Sequence, residues 1–337
     1  MLLNPIIFFI PLLFFILYYG KFFLLPLSLS LFIFLIVKSL SLKLIFFFQK
    51  YLQIKIGNFI SFLTVFLILF LSVFFIWKLL KFHIMLVNIK SSIYQENFMT
   101  ILDKLSQNNF QNFINPIFKN LEDINIGNIL GNILSFFTNF AGISSLVIVY
   151  LIFIIAEEKF FKAKIKIISQ RKKTQNIIKK INTDIFNYFQ IKFLTSFLTG
   201  LLTLLVLMLF QSDLTILFAF LSFFFNFIPF LGSIMSIIIP TIFSLVQFVS
   251  PSDPLFIFIS LTFVQIIVGN FLEPKLIGKS LNISPLIMLI VLSVMGKIWG
   301  IVGMFLSVPF LVTLLIIFSN FDKTRILALL ISEKGIK

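Results

Sequence analysis

The chain has 337 residues, of which 60% are hydrophobic and only 12% are charged, about half the charged share of a soluble domain; it is therefore an integral membrane protein. Its net charge of +15 fits loop Lys and Arg held on the cytoplasmic side and against anionic lipid headgroups, so nucleic acid is not expected as a partner. Cysteine is absent and His83 is the sole histidine, which excludes disulfides, thiolate metal sites, a cysteine nucleophile and any histidine-based metal site or proton relay within one chain.

Two apolar runs, Pro5 to Tyr19 and Phe22 to Val37, meet at Gly20-Lys21. They lack the basic start and small-residue cleavage site of a signal peptide and are expected to remain as membrane helices. The stretch from Lys38 to Lys55 carries Lys38, Lys43, Lys50 and Lys55 without an acid and is expected to be a cytoplasmic loop. A third helix follows from Ile56 to about Leu80, closing an N-terminal group of three helices over residues 1–80.

Residues 81–140 are the most polar part, with Lys81, Lys90, Lys104 and Lys119 balanced by Glu96, Asp103, Glu122 and Asp123. Leu86, Ile89, Ile93, Ile101 and Leu105 recur at near-helical spacing, which predicts an amphipathic extracytoplasmic segment. Its role is either a cap or oligomer contact, or a helical hairpin packed on the outer face. A fourth span is expected from Gly142 to Ala156. The basic run after it, from Lys159 to Lys180, sets a cytoplasmic position. Ile177, Ile181, Ile185 and Phe189 place one apolar stripe on a basic helix suited to the lipid interface, so that residues 141–190 pair a span with an interfacial helix.

A fifth span runs from Ile191 to Phe210. Beyond it, Leu214 to Phe318 is nearly unbroken apolar sequence, interrupted at Phe225–Gly232, at Pro251–Pro254, at Gly269–Pro285 and at Gly296–Pro309. In lipid the apolar runs must be helices, and such breaks are tolerated where the backbone is buried in protein or lines a cavity. Charge parity makes Leu214–Val249 a pair of helices broken near Pro229–Gly232, and Ile283–Phe318 a second pair broken near Gly296–Gly300. If both pairs are re-entrant, they enter from opposite faces. The expected fold is an all-α polytopic membrane protein of about eight membrane segments, some broken or re-entrant, plus amphipathic interfacial helices. Residues 191–320 form its transport core, and 321–337 form a cytoplasmic tail.

The order Phe227, Pro229, Gly232, then Gly269, Asn270, Pro274, Gly278, then Pro285, Gly300, Gly303 and Pro309 resembles the autoinducer-2 exporter family, also called PerM-type permeases. The carboxy-terminal third matches best. Val268-Gly269 stands where the family often has an acid beside the Asn, and Phe189-Gln190-Ile191-Lys192 replaces its Gly-rich start of the fifth helix. The resemblance implies a bacterial inner-membrane protein that exports a sugar-like signalling molecule, with sodium or lithium exchange for protons as the rival assignment within the family. It also implies a homo-oligomer. The carboxy-terminal Lys323, Arg325, Lys334 and Lys337, together with the parity of the spans, predict cytoplasmic termini.

Candidate pathway residues are the broken-helix positions Asn226, Pro229, Gly232, Asn270, Glu273, Pro274, Gly278, Lys297, Gly300, Gly303 and Pro309. Among the twelve acids, Glu273 is the best placed within the membrane, where charges are costly and functional; its other reading is an interfacial partner of Lys275 or Lys279. Asn226 and Asn270 either satisfy carbonyls freed by Pro229 and Pro274, or bind a hydroxylated solute or a partly dehydrated cation. Lys297 either meets an anionic group or snorkels to an interface. An enzyme is not expected, because no acid–base pair, activated nucleophile or metal set can be assembled. Neither a metal nor a cofactor is expected. A non-transporting scaffold built on the basic helix and the outer segment remains a third functional class.

Overall fold

The computed structural model describes residues 12, 14–106, 144–158, 160, 163–164, 172–248, 250–277 and 282–335. The start of the first apolar run, the second half of the polar segment, most of the basic run after residue 158 and Gly278 lie outside the described residues. Among those described, every regular element is helical. In chain order these are α1 (Lys21–Phe47), a π-helix (Phe48–Leu52), α2 (Asn58–Ile89), α3 (Ser91–Ser106), α4 (residues 144–158), α5 (Lys172–Leu209), α6 (Thr215–Phe225), α7 (Leu231–Phe248), α8 (Ser252–Gln265), a second π-helix (Ile266–Leu272), α9 (Glu273–Ile277), α10 (Pro285–Ser319) and α11 (Arg325–Ile331). Among the described residues, five helical stretches are long and apolar enough to cross a membrane. Large apolar side chains stand exposed along them, among them Leu209 at 82% and Phe22 at 78%. Such surfaces suit lipid, since a soluble monomer does not carry apolar patches on this scale.

Two helices run further than the charge pattern suggests. The Lys38–Lys55 stretch, expected as a loop, continues α1 to Phe47 and then the π-helix to Leu52. No Gly or Pro interrupts it, and Lys38 is drawn onto Glu158 at 2.5 Å. The basic helix and the fifth span are likewise one 38-residue helix. At about 1.5 Å per residue it is about 57 Å long, against a hydrocarbon core of about 30 Å, so its basic turns extend the membrane helix.

The chain forms two compact units. The first comprises residues 1–67, 141–191 and 276–337. Its core gathers Leu25 and Leu29 of α1, Val147 of α4, and Met295, Ile298, Trp299 and Leu306 of α10. Trp299 Nε1 donates to the Leu17 carbonyl at 2.8 Å, and the Phe32 ring meets Phe189 and Phe305 edge-on. The second comprises residues 68–140 and 192–275. Here Tyr94 of α3, Leu207 of α5, Leu214, Leu217 and Phe218 around α6, and Ile257 and Leu261 of α8 form the core. In this unit α7 packs against α6, α8 and α3.

Both expected breaks are present. Residues 226–230 separate α6 from α7, and Gly300, at φ 65° and ψ −147°, interrupts α10. With 11 residues, α6 is about 16 Å long and cannot cross the hydrocarbon core. The legs of α10 on either side of Gly300 are about 22 and 28 Å.

Candidate functional site

In the second unit, one face of α5 carries Lys192, Thr195, Ser196, Thr199, Gly200 and Thr203. Spacings of three and four put them on one stripe, and all are buried. Small and hydroxyl residues let membrane helices approach closely. A Cβ on Gly200 would lie 3.0 Å from the Ala219 carbonyl of α6, which fixes how tightly the two pack. Thr195 and Thr199 return their hydroxyls to carbonyls of their own helix, Lys192 at 3.2 Å and Thr195 at 2.9 Å.

At one end of this stripe Lys192 Nζ pairs with Glu273 Oε1, and Thr195 Oγ1 lies 3.4 Å from Glu273 Oε2. Lys192 is buried, at 6% side-chain exposure, and Glu273 is partly buried, at 16%, so each offsets the desolvation of the other's charge. The sequence had offered Lys275 or Lys279 as the partner of Glu273. Lys275 is exposed, and the pairing goes to a residue 81 positions earlier. Lys192 was missed. Its signal was available: it is the only charge between Asp184 and Asp213, in the middle of an otherwise apolar helix.

Asn226, 3% exposed, sits at the end of α6. Its Nδ2 donates to Ser196 Oγ at 3.0 Å, tying the break to the α5 stripe rather than capping a carbonyl near Pro229. The turn that follows is tight. Leu231 N–H donates to the Pro229 carbonyl at 2.6 Å across Phe230, whose φ of 61° is positive. Gly232 then packs directly on the Phe225 carbonyl, with no room for a side chain.

Gly269 and Asn270 lie on the second π-helix. Pro274 has no N–H to donate, and its ring excludes the carbonyl four residues back, which is that of Asn270; a widened turn relieves both. Asn270 is exposed on this turn, and Pro274 is exposed after it. Inside the same turn, Gln265 Oε1 is buried without a hydrogen-bond partner. A buried unsatisfied acceptor costs about 1–3 kcal/mol.

The α5–α6 corner is a separate polar cluster. Asp213 accepts from Tyr94 Oη at 2.5 Å and from Lys90 Nζ at 2.8 Å. Gln247 Oε1 accepts from the Asp213 N–H at 3.1 Å, and Asn97 Nδ2 donates to the Val246 carbonyl at 2.9 Å. These bonds fasten α3 to α7. Burial, and then the Asp213 carboxylate it donates to, push the Tyr94 phenol above its ordinary value. The phenol therefore stays protonated in the fold, and its contribution persists below pH 10 and falls as the pH rises above it.

In the first unit the break is of another kind. Gly303 lies against the Met295 carbonyl, and a Cβ on Gly296 would lie 2.6 Å from the Met304 methyl. Contacts eight residues apart, centred near Gly300, mean that α10 folds back as a helical hairpin. Pro309 is buried in its second leg, while Lys297 is exposed. Among the described residues, no cluster of three or more His, Cys, Asp or Glu could hold a metal.

The family profile described as "AI-2E family transporter" matches residues 6–323. Similar proteins include a "Putative transport protein" of Borreliella burgdorferi, 42% identical over 52% of this chain and 51% of that protein. Another of the same description, from Haemophilus influenzae, is 30% identical over 58% of each. The "AI-2 transport protein TqsA" of Escherichia coli is 28% identical over 46% of this chain and 45% of that protein. The matched part of the chain spans about half the length of these relatives.

Proposed function

Since the chain belongs to the AI-2E transporter family, we propose that this multi-pass protein moves a small polar solute outward across the bacterial inner membrane. The observation that carries this reading is the buried polar stripe of α5, with Asn226 and the Lys192–Glu273 pair, set among apolar helices beside a broken hairpin. Polar groups at membrane depth mark pathways. The order of its Pro and Gly residues supports the PerM-type subclass. The description of the Escherichia coli relative makes autoinducer-2 the first solute to test.

The topology we propose has about eight membrane segments, with Leu214–Val249 and Ile283–Phe318 re-entrant from opposite faces, and both termini cytoplasmic. The lengths of α6 and of the first leg of α10 support re-entry. The Lys and Arg of the cytoplasmic face bind anionic headgroups, and the protein works as a homo-oligomer.

A second reading, exchange of sodium or lithium for protons, draws on the same Lys192–Glu273 pair, because a carboxylate held at depth is what proton coupling uses. Purified protein in liposomes separates the two. Labelled autoinducer-2 is loaded inside, and a pH dye reports protons under sodium or lithium gradients. Efflux without a cation-dependent pH change supports solute export. A cation-dependent pH change without efflux supports the antiporter, and the absence of both signals leaves the substrate open. Asn270→Ala is expected to lower flux while leaving membrane insertion intact. Wild-type flux in that variant would remove Asn270 from the pathway.

A further inference from the structure

We infer that Gln265, Ser233 and Gly269 form a subsite for a neutral polyhydroxylated solute, a site that rests on and sharpens the transport reading above. The position that a Cβ on Gly269 would take lies 3.7 Å from Gln265 Oε1 and 3.9 Å from Ser233 Oγ. Two oxygens thus face a space left by a missing side chain, at the widened turn of the second π-helix. Gln265 is 6% exposed and its Oε1 has no partner, so the space holds an acceptor that wants a donor. Gly269 and Ser233 are themselves partly exposed, so the edge of this space reaches the surface of the unit.

The chemistry selects the class of ligand. Gln265 Oε1 only accepts, whereas the Ser233 hydroxyl can donate or accept. Adjacent hydroxyls of a polyol satisfy both at once. A bare cation would require several oxygens and gains little from charge here. The acid nearest in sequence, Glu273, is already neutralised by Lys192. The glycine is the selective feature. A methyl at position 269 would meet only ordinary van der Waals contacts, so it fills the space without disturbing the helix.

The test is equilibrium binding of radiolabelled ribose to the purified full-length protein in nanodiscs, with sodium-22 as the cation arm. Wild-type protein is expected to bind ribose saturably. Gly269→Ala and Gln265→Leu are each expected to weaken that binding about tenfold, the worth of one hydrogen bond to a buried acceptor, with the unfolding midpoint unchanged in the first and unchanged or raised in the second, which loses an unsatisfied acceptor. Ribose binding that is undiminished in both variants would overturn the inference, as would no saturable ribose binding to wild type, or sodium-22 binding lost in the same variants. Flux in liposomes separates this from the parent reading. Binding at the subsite with no transport of any solute leaves the subsite and removes the transporter. Transport that is equal in wild type and both variants does the reverse.

Discussion

At Gly232 the entering turn of α7 lies on the Phe225 carbonyl, and at Gly303 the second leg of α10 lies on the Met295 carbonyl. In both hairpins a glycine takes the place where the returning helix crosses a backbone oxygen seven or eight residues earlier. The surroundings differ. Around the α6–α7 break, Asn226 reaches Ser196 on a stripe that ends in Lys192–Glu273. Around Gly300 the neighbours are Met295, Ile298, Trp299 and Leu306, and the one charge nearby, Lys297, is exposed. Gly232 and Gly303 of the family motif are thus explained by close backbone approach, and Gly300 by its positive φ. The polar chemistry is a separate feature, carried by side chains in one unit.

The largest effect expected from this contrast is at Lys192. Lys192→Met strands the Glu273 carboxylate in a buried setting, a loss of about 4 kcal/mol. It should appear as a much lower unfolding midpoint in detergent. Lys192→Met combined with Glu273→Leu should recover most of it, because the desolvation cost leaves with the second charge. Lys297→Met should be nearly silent. Equal effects of Lys192→Met and Lys297→Met would end the claim that the chemistry sits in one unit.

Next come the shared glycines. Gly232→Ala and Gly303→Ala each drive a methyl into a backbone carbonyl that cannot rotate away, so each should cost about 3 kcal/mol. Thermal unfolding of the two variants side by side checks this. If one is tolerated and the other is not, the two hairpins do not share a shape.

Much of this was legible in the sequence, and the limits have physical causes. The two breaks were placed where Pro and Gly cluster, near Pro229–Gly232 and Gly296–Gly300, in stretches that charge parity requires to start and end on one face. Asn226 was expected to be a polar group at depth because its neighbours from Phe223 to Leu231 are otherwise apolar. Its partner was not, since Ser196 is 30 residues away and hydroxyls in membrane helices are common. Glu273 was singled out as a charge within the membrane, yet its partner was sought nearby. A lysine one helix over, in an apolar run, competes better for a buried carboxylate than exposed neighbours do. The Lys38–Lys55 stretch misled for the opposite reason. Lysines mark the cytoplasmic side of a membrane, but they do not end a helix.

A smaller effect is expected at Asn226. Asn226→Ala removes the amide that bridges the break to Ser196, and should cost about 1 kcal/mol, about a quarter of the charge deletion. The variant is informative because insertion and the hairpin should survive it. If its unfolding midpoint equals that of wild type, Asn226 contributes nothing to holding α6 against α5, and its burial must serve the solute pathway alone.

The smallest effect concerns the turn itself, where the two breaks differ most plainly in backbone. Gly300 occupies a conformation that is essentially reserved for glycine, so that break stores no side-chain strain. Phe230 holds a φ of 61° with a full side chain, a strain of about 1–2 kcal/mol. Phe230→Gly relieves it. The gain is offset by the greater freedom of glycine in the unfolded chain, about 0.5–1 kcal/mol, and the half-exposed ring contributes little packing to lose. The net expectation is a stabilisation of about 0.5 kcal/mol, read as a slightly higher unfolding midpoint. A lower midpoint would mean that the ring anchors the turn. A higher midpoint with slowed flux would mean that the strain at Phe230 is spent in opening the α6–α7 hairpin, a role that the unstrained Gly300 break could not share.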